Sequence, residues 1–189
     1  MRLAPLAGLG RAVLLNLPVA MAVVSSAAAG LRAEERGATI LQLRAPLLTT
    51  RELERECTEL LRRARVPVVV SSRCDVALAC GAAGVNLPER DISVADARVL
   101  VGEKLIGRSV HSIEAAGVAA SDGADYVIFG PIWESPTHPG DEPLGPEALK
   151  RAVSAVKIPV LAIGGIDSER AALCLEAGAA GYAAIRMFS

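Results

Sequence analysis

Short apolar runs alternate with longer amphipathic segments along this sequence, and most runs end in a polar or glycine-containing turn. Strands and helices in such regular alternation are typical of a parallel β-sheet covered by helices. The runs that predict strands are Ala12–Asn16, Thr39–Leu43, Val66–Val70, Gly84–Asn86, Lys104–Val110, Asp125–Phe129, Val160–Ile163 and Gly181–Ile185. The segments that predict helices are Val19–Arg36, Thr50–Arg63, Asp75–Cys80, Val94–Leu100, Ile113–Ser121, Pro146–Val156 and Ser168–Ala177.

Eight strands in this order predict a closed (β/α)₈ TIM barrel that occupies residues 1–189 as one compact α/β domain. The chain is slightly shorter than the ~200 residues usual for this fold, so its helices must be short. Only 3% of residues are aromatic and 52% are hydrophobic, which favours helices packed on a buried parallel sheet. A doubly wound open sheet remains an alternative, because periodicity does not report closure.

The first thirty residues resemble a secretory signal in part: Arg2 and Arg11 precede an apolar stretch, and a small-residue run follows at 25–29. Asn16 and Pro18 interrupt the apolar stretch. Removing residues 1–29 would also remove the first predicted strand and open the barrel. We therefore expect a cytoplasmic protein. No later segment reaches the ~18 apolar residues of a membrane span, so we expect no membrane partner.

Charge and cysteine content exclude several classes of function. Lys and Arg number 20 against 21 Asp and Glu, so the chain lacks the basic excess that nucleic-acid binding requires. The four cysteines form no Cys-x-x-Cys pair, which favours buried thiols in a reducing compartment over a metal site or a disulfide. The sequence does not determine whether the protein self-associates, and a homo-oligomer stays open.

In a barrel of this kind the active site is built at the carboxyl ends of the strands. Gln42 and Arg44 alternate onto one face at the end of the second strand, and Ser109 and His111 do so at the end of the fifth. An imidazole can both accept and donate a proton near neutral pH, which makes His111 the candidate catalytic group. The alternatives are an arginine that only reaches solvent and an inert loop histidine.

Two turns complete the predicted site. The loop over 130–145 is long, contains Gly130 and Ser135, and is expected to contact substrate, although a variable surface loop is the alternative. After the last two strands, the sequence offers small residues, an apolar residue and a cation suited to a phosphate: Gly164, Gly165, Ile185 and Arg186. A plain tight turn is the alternative for the two glycines.

Several segments in order resemble the superfamily of thiamin phosphate synthases and thiazole tautomerases. These segments are Leu41–Arg44, Asp75–Leu78, Ile106–Ser112, Ala124–Pro131 and Ile158–Ile166. The resemblance covers the chain from about Ala38 to Phe188 and implies a TIM barrel that acts on a phosphorylated thiazole.

The resemblance also bears on the branch within the superfamily. The synthases hold a diphosphate with an Arg-Lys pair, an Asn-Asp pair, an Asp that helps bind Mg²⁺, and a loop lysine. Here Arg44 and Asp91 match, whereas Ala45, Ser71-Ser72 and His138 stand at the other positions. A site with fewer charges stabilises a departing diphosphate poorly, which favours the tautomerase branch.

The tautomerase branch implies an isomerase that aromatises a thiazole carboxylate phosphate by proton transfer through His111, with no metal and no cofactor. The substrate contacts expected on this interpretation are Gln42, Arg44, Ser71, Ser109, Gly130 and Ser135, and the phosphate contacts are Gly164, Gly165, Ile185 and Arg186. Two alternatives remain: a thiamin phosphate synthase, which would require Mg²⁺, and a non-catalytic barrel that binds a thiazole or pyrimidine phosphate.

Overall fold

The structure, a computed structural model, describes residues 18–134, 140 and 142–189. In these residues the strands are β1 Val19–Val24, β2 Ile40–Leu43, β3 Val68–Ser71, β4 Gly84–Leu87, β5 Leu105–Val110, β6 Tyr126–Phe129, β7 Val160–Ile163 and β8 Gly181–Ala184. The helices are α1 Ala27–Glu35, α2 Thr50–Arg63, α3 Cys74–Cys80, α4 Val94–Val101, α5 Ile113–Ser121, α6 Gly145–Ala155 and α7 Ser168–Glu176. A 3₁₀ turn, Arg186–Phe188, follows β8.

The strands form a closed barrel in chain order, with every neighbouring pair parallel. β1 pairs with β2 through Met21 and Ile40, and β8 returns to β1 through the register of Gly181 with Val19. The predicted TIM barrel is confirmed, and the open-sheet alternative is wrong because the first and last strands are hydrogen-bonded to each other.

The prediction for the first βα unit is wrong. Residues 19–24, predicted as the start of a helix, form β1, and the helix begins after the cap at Ser26. All six residues of β1 are buried, so this strand shows no alternation of polar and apolar residues. Ala and Met also favour helices, which hid the strand. The predicted strand Ala12–Asn16 lies outside the described residues.

Alternation along the strands divides the core into two layers. Inward-facing residues fill the barrel: Val19, Met21, Val23, Ile40, Val69, Leu105, Tyr126, Ile128, Leu161 and Ala183. The intervening residues, such as Leu41, Val70 and Val85, pack against the helices. Because the inward position repeats every second residue, the last inward residues of the strands meet at the carboxyl end of the barrel.

Side-chain caps start several helices where the sequence predicted them. The Ser112 hydroxyl accepts from the amide of Ala115 at 3.0 Å, and the Asp167 carboxylate accepts from the amide of Arg170 at 2.8 Å. These caps place the starts of α5 and α7 a few residues after the ends of β5 and β7.

The amino-terminal end of the barrel is held by Arg98. Its guanidinium donates to the carbonyls of Gly102 and Lys104, both at 2.6 Å, and pairs with the buried carboxylate of Asp125 at 2.7 Å. That carboxylate also accepts from the amide of Ile106 at 2.9 Å. Arg98 therefore stabilises the barrel at the end opposite the predicted site.

Two further sequence expectations concern the thiols and the membrane. Cys57, Cys74 and Cys174 are buried free thiols. Burial raises the pKa of Cys57 to about 12, and the neighbouring Cys80 thiol contributes a smaller part of the increase. Within the described part of the chain, none of the helices has the length and apolar composition that crossing a bilayer requires.

Candidate active site

One cavity of about 600 Å³ opens at the carboxyl end of the barrel. Its wall is formed by strand-end residues of the whole barrel and by the loops that follow them. The polar and charged residues in this wall are Gln42, Arg44, Ser71, Asn86, Glu89, Ser109, His111, Glu134, Asp167, Ser168, Arg170 and Arg186. A cavity of this size accommodates two small heterocyclic rings with their phosphates.

The floor of the cavity carries two buried amide side chains. Gln42 is 4% exposed and Asn86 is 1% exposed. The Asn86 side-chain amide donates to the Ser109 hydroxyl at 3.0 Å, which fixes the orientation of the amide group. Among the residues that the structure describes, the side-chain carbonyl oxygens of Gln42 and Asn86 find no hydrogen-bond partner. Because a buried unpaired acceptor is costly, the floor is suited to a ligand that brings N–H donors.

His111 and Glu89 form a pair in the cavity wall. Nδ1 of His111 contacts Oε2 of Glu89, and the imidazole remains largely exposed. The two residues come from the loops after β5 and β4, which are neighbouring strands. Two ionisable side chains in direct contact therefore line the cavity.

The turn after β7 packs closely against the loop after β6. Gly164 and Gly165 have φ values of 101° and 65°, a region that favours glycine. A side chain at Gly165 would meet the carbonyl oxygen of Glu134 at 2.6 Å, and one at Gly164 would meet Cα of Pro131 at 2.7 Å. The glycines are thus required by this packing, and both still line the cavity.

Arg170 holds this corner of the cavity together. Its guanidinium donates to the Gly165 carbonyl at 2.7 Å and lies 5.4 Å from the centre of the Trp133 ring. Arg186 follows β8 on the adjacent side of the cavity and is exposed. Arg170 also pairs with the Asp167 carboxylate at 3.8 Å, so the exposed Arg186 guanidinium and the glycine turn are the features of this corner that suit an anion.

Asp91 lies next to the cavity wall in the loop after β4. One of its carboxylate oxygens accepts from the amide of Ile92 at 2.8 Å, and the other accepts from the hydroxyl of Ser72. Ser72 has a φ of 67°, which is uncommon for a residue other than glycine and directs its hydroxyl to Asp91.

The donor set around Asp91 fits Mg²⁺ carried by a phosphate ligand. Mg²⁺ prefers oxygen ligands, keeps several waters, and often uses only one or two carboxylates together with substrate phosphates. Each Asp91 oxygen retains a lone pair beyond its hydrogen bond. Over residues 18–134, 140 and 142–189, no three His, Cys, Asp or Glu side chains form a metal site by themselves. The ion would therefore depend on the ligand phosphates.

The structure brings nearly all of the predicted site residues together around the cavity. These residues are Gln42, Arg44, Ser71, Ser109, His111, Gly130, Gly164, Gly165, Ile185 and Arg186. Ser135 and His138 lie outside the described residues. This grouping concerns the positions of the residues, and the chemical role of each stays a prediction.

Sequence reasoning missed Asn86, Glu89 and Arg170. Asn86 is the second inward residue of β4, and alternation from Gly84 would have identified it. Glu89 lies four residues before Ser93, the cap of α4, and Arg170 lies inside α7. No local pattern distinguishes these two from ordinary surface charges.

Comparison with known proteins identifies relatives across almost the whole described chain. A family profile described as thiamine monophosphate synthase matches residues 20–188. The thiamine-phosphate synthase of Chloroflexus aurantiacus is 44% identical, over 79% of this chain and 71% of that protein. That of Chlorobium luteolum is 43% identical, over 82% and 75%. A solved structure of thiamine phosphate pyrophosphorylase from Pyrococcus furiosus superposes with a TM-score of 0.83 at 34% identity, covering 92% of this chain and 88% of that one.

These relatives correct the predicted branch. The interpretation as an isomerase of the thiazole tautomerase type is wrong, because the relatives at 43–44% identity are named as synthases, which are transferases. The wrong branch was predicted because Ala45, Ser71 and Ser72 stand where the synthases have a lysine and an Asn-Asp pair, which suggested a site with too few charged groups for a diphosphate. The structure shows that the Ser72 hydroxyl supports Asp91, and that Arg44 and Arg186 share one cavity.

Proposed function

This chain belongs to the thiamine monophosphate synthase family, and on that premise we propose that it is a thiamine-phosphate synthase. The reaction joins a pyrimidine diphosphate to a thiazole phosphate. The thiazole nitrogen forms a bond to the methylene carbon of the pyrimidine, and the bond from that carbon to the diphosphate oxygen breaks. The diphosphate leaves with the electron pair, and the nitrogen becomes quaternary.

The observation that carries this proposal is the pair of unpartnered amide oxygens at the cavity floor. The pyrimidine of thiamine bears an exocyclic amino group, whose two N–H donors match the side-chain oxygens of Gln42 and Asn86. The Asn86 acceptor is oriented before binding, since the side-chain amide donates to Ser109. We assign the pyrimidine ring to this floor.

We assign the phosphate of the thiazole to the turns after β7 and β8. Gly164, Gly165, Ile185 and Arg186 line that side of the cavity. Arg186 supplies a full positive charge, and Arg170 stabilises the turn through the Gly165 carbonyl. This placement leaves the thiazole ring above the pyrimidine floor, where its nitrogen can reach the methylene carbon.

The diphosphate is assigned to the side formed by the ends of β2 to β5, where Arg44, Ser71 and Ser109 lie in the wall and Asp91 lies beside it. Asp91 and Ser72 would hold Mg²⁺, which neutralises charge on the leaving diphosphate. The residues of this chain orient the diphosphate, and Arg44 adds a permanent positive charge. Stabilising the departing group is the main electrostatic task of the reaction.

The coupling removes no proton from either substrate, so it needs no general base. We therefore assign His111, held by Glu89, to contact with the diphosphate rather than to proton transfer. The free thiols of the chain favour a reducing compartment, and we propose a cytoplasmic location on that ground.

A coupling assay tests the proposal. Purified protein is mixed with the pyrimidine diphosphate, the thiazole phosphate and Mg²⁺, and thiamine phosphate is followed by chromatography. We expect product formation that depends on Mg²⁺ and falls by at least about 100-fold in Asp91→Asn. Binding of both substrates without any product would contradict the proposal and favour the non-catalytic interpretation.

A further inference from the structure

Arg108 reaches from β5 to the loop that carries Asp91. Its guanidinium donates through Nη1 to the carbonyl of Ile92 at 2.6 Å, and through Nη2 to the carbonyl of Glu89 at 2.6 Å. A longer contact of 3.3 Å joins Nη2 to the carbonyl of Asp91. Arg108 is opposite Leu87 in the register of β4 with β5, so its side chain lies beside the start of this loop.

The three carbonyls flank the two acidic groups of the site. Asp91 is held at its backbone by Arg108 and at its carboxylate by the Ile92 amide and the Ser72 hydroxyl. Glu89, held by the same guanidinium, contacts His111. One side chain outside the cavity wall therefore fixes the loop on which both carboxylates depend.

We propose that Arg108 is a positioning residue that sets the Asp91 carboxylate for a diphosphate bound with Mg²⁺. The inference rests on the proposed function. A guanidinium offers several N–H donors in a planar fork, whereas a lysine ammonium is a single compact charge. Lysine at this position cannot hold Ile92 and Glu89 in the same geometry, and the loop loses its fixed orientation.

Calorimetry with inorganic pyrophosphate, with and without Mg²⁺, measures this effect independently of turnover. We expect Arg108→Lys to weaken Mg²⁺-dependent pyrophosphate binding by about 10-fold, because residues that orient metal ligands typically contribute 10- to 100-fold to affinity. The KM for the pyrimidine diphosphate should rise similarly, and that for the thiazole phosphate should stay within about 2-fold.

Two comparisons separate positioning from general stability. Arg98→Lys also replaces a guanidinium that binds several carbonyls, but at the opposite end of the barrel, and it should leave pyrophosphate binding unchanged. In an Asp91→Asn background, Arg108→Lys should weaken binding by less than it does in the wild type, because the carboxylate it positions is gone and only its bond to the Glu89 carbonyl still acts on the site.

The inference is overturned if Arg108→Lys weakens binding no more than Arg98→Lys does, or if its effect is as large in the Asp91→Asn background. Circular dichroism shows whether each variant is folded. If Arg108→Lys does not fold, Arg108→Gln is measured instead, because the glutamine amide retains N–H donors. A different result would contradict the proposed function: wild-type protein that binds pyrophosphate but forms no thiamine phosphate. The pyrophosphate binding constants of the wild type and the variants would still test the role of Arg108.

Discussion

On the proposed function, single residues at the cavity floor and rim select the ligand. Gln42 and Asn86 present buried oxygens that no residue of the described part of the chain satisfies. Ser72 adopts a backbone conformation that is costly for serine and in return orients its hydroxyl to Asp91. Such local costs are typical of binding sites, where the ligand completes the hydrogen bonding.

Replacing Gln42 by Met tests the assignment of the pyrimidine ring. The side chain keeps its approximate volume and loses the acceptor, so we expect the KM for the pyrimidine diphosphate to rise by about 10-fold or more. Steady-state kinetics with each substrate varied in turn measures the change. An equal rise in the KM for the thiazole phosphate would contradict the assignment.

Ser72→Gly and Ser72→Ala separate the hydroxyl from the backbone strain. Both variants lose the hydrogen bond to Asp91, so both should weaken Mg²⁺-dependent pyrophosphate binding to the same extent. Glycine tolerates a φ of 67°, so Ser72→Ala should be the less stable variant by up to about 1 kcal/mol. Unequal binding by the two variants would show that strain, and not the hydroxyl, matters for the ligand.

Much of the site follows from the sequence because alternation along a strand fixes which side chains point inward. Gln42 with Arg44, and Ser109 with His111, were predicted on that basis and line the cavity. Glu89 and Arg108 act through contacts between residues 16 to 22 positions apart in the sequence, and no local pattern encodes such pairs. Arg170 contacts Gly165, five residues before it, but its place inside α7 gives no signal of that contact.

At the scale of elements, strand starts are packed more tightly than helix surfaces. A side chain at Gly181, the first residue of β8, would meet the carbonyl oxygen of Val19 at 2.0 Å. Gly117 in α5 has open space around the same position. The close approach of β8 to β1 at Gly181 helps close the barrel.

Gly181→Ala and Gly117→Ala should therefore change stability in opposite directions. We expect the first to lower the free energy of unfolding by at least about 2 kcal/mol, because rigid backbone must move. The second should raise it by about 0.5–1 kcal/mol, since alanine favours a helix. Urea unfolding measures both, and a stable Gly181→Ala variant would contradict the described packing of β8 on β1.

The order of strands and helices was predictable from the sequence, except where a strand shows no alternation of polar and apolar residues. The strands from β2 to β8 lie within or overlap their predicted ranges. β1 was missed because Val19–Val24 is buried along its whole length and contains residues that also suit a helix. The polar caps at Ser112 and Asp167 fixed the starts of α5 and α7, whereas the small residues after Ser26 concealed the start of α1.

At the scale of the whole molecule, the stabilising ion pair and the candidate active site lie at opposite ends of the barrel. Arg98 and Asp125 stabilise the amino-terminal end, and the polar cavity residues gather at the carboxyl end. The formal net charge is only −1, so on the proposed function the recognition of two phosphorylated substrates depends on where the cations lie and not on overall charge. Arg44 and Arg186 follow β2 and β8, the two neighbours of β1, so one strand separates them on the rim of the same cavity.

A crystal structure of the protein with thiamine phosphate, pyrophosphate and Mg²⁺ tests this arrangement most directly. We predict that the amino group of the pyrimidine lies within 3.2 Å of the side-chain oxygens of Gln42 and Asn86. The ester phosphate should lie at Gly164, Gly165 and Arg186, and pyrophosphate with Mg²⁺ at Asp91. A pyrimidine ring bound away from the two amide oxygens, or an ester phosphate on the Asp91 side, would contradict the account.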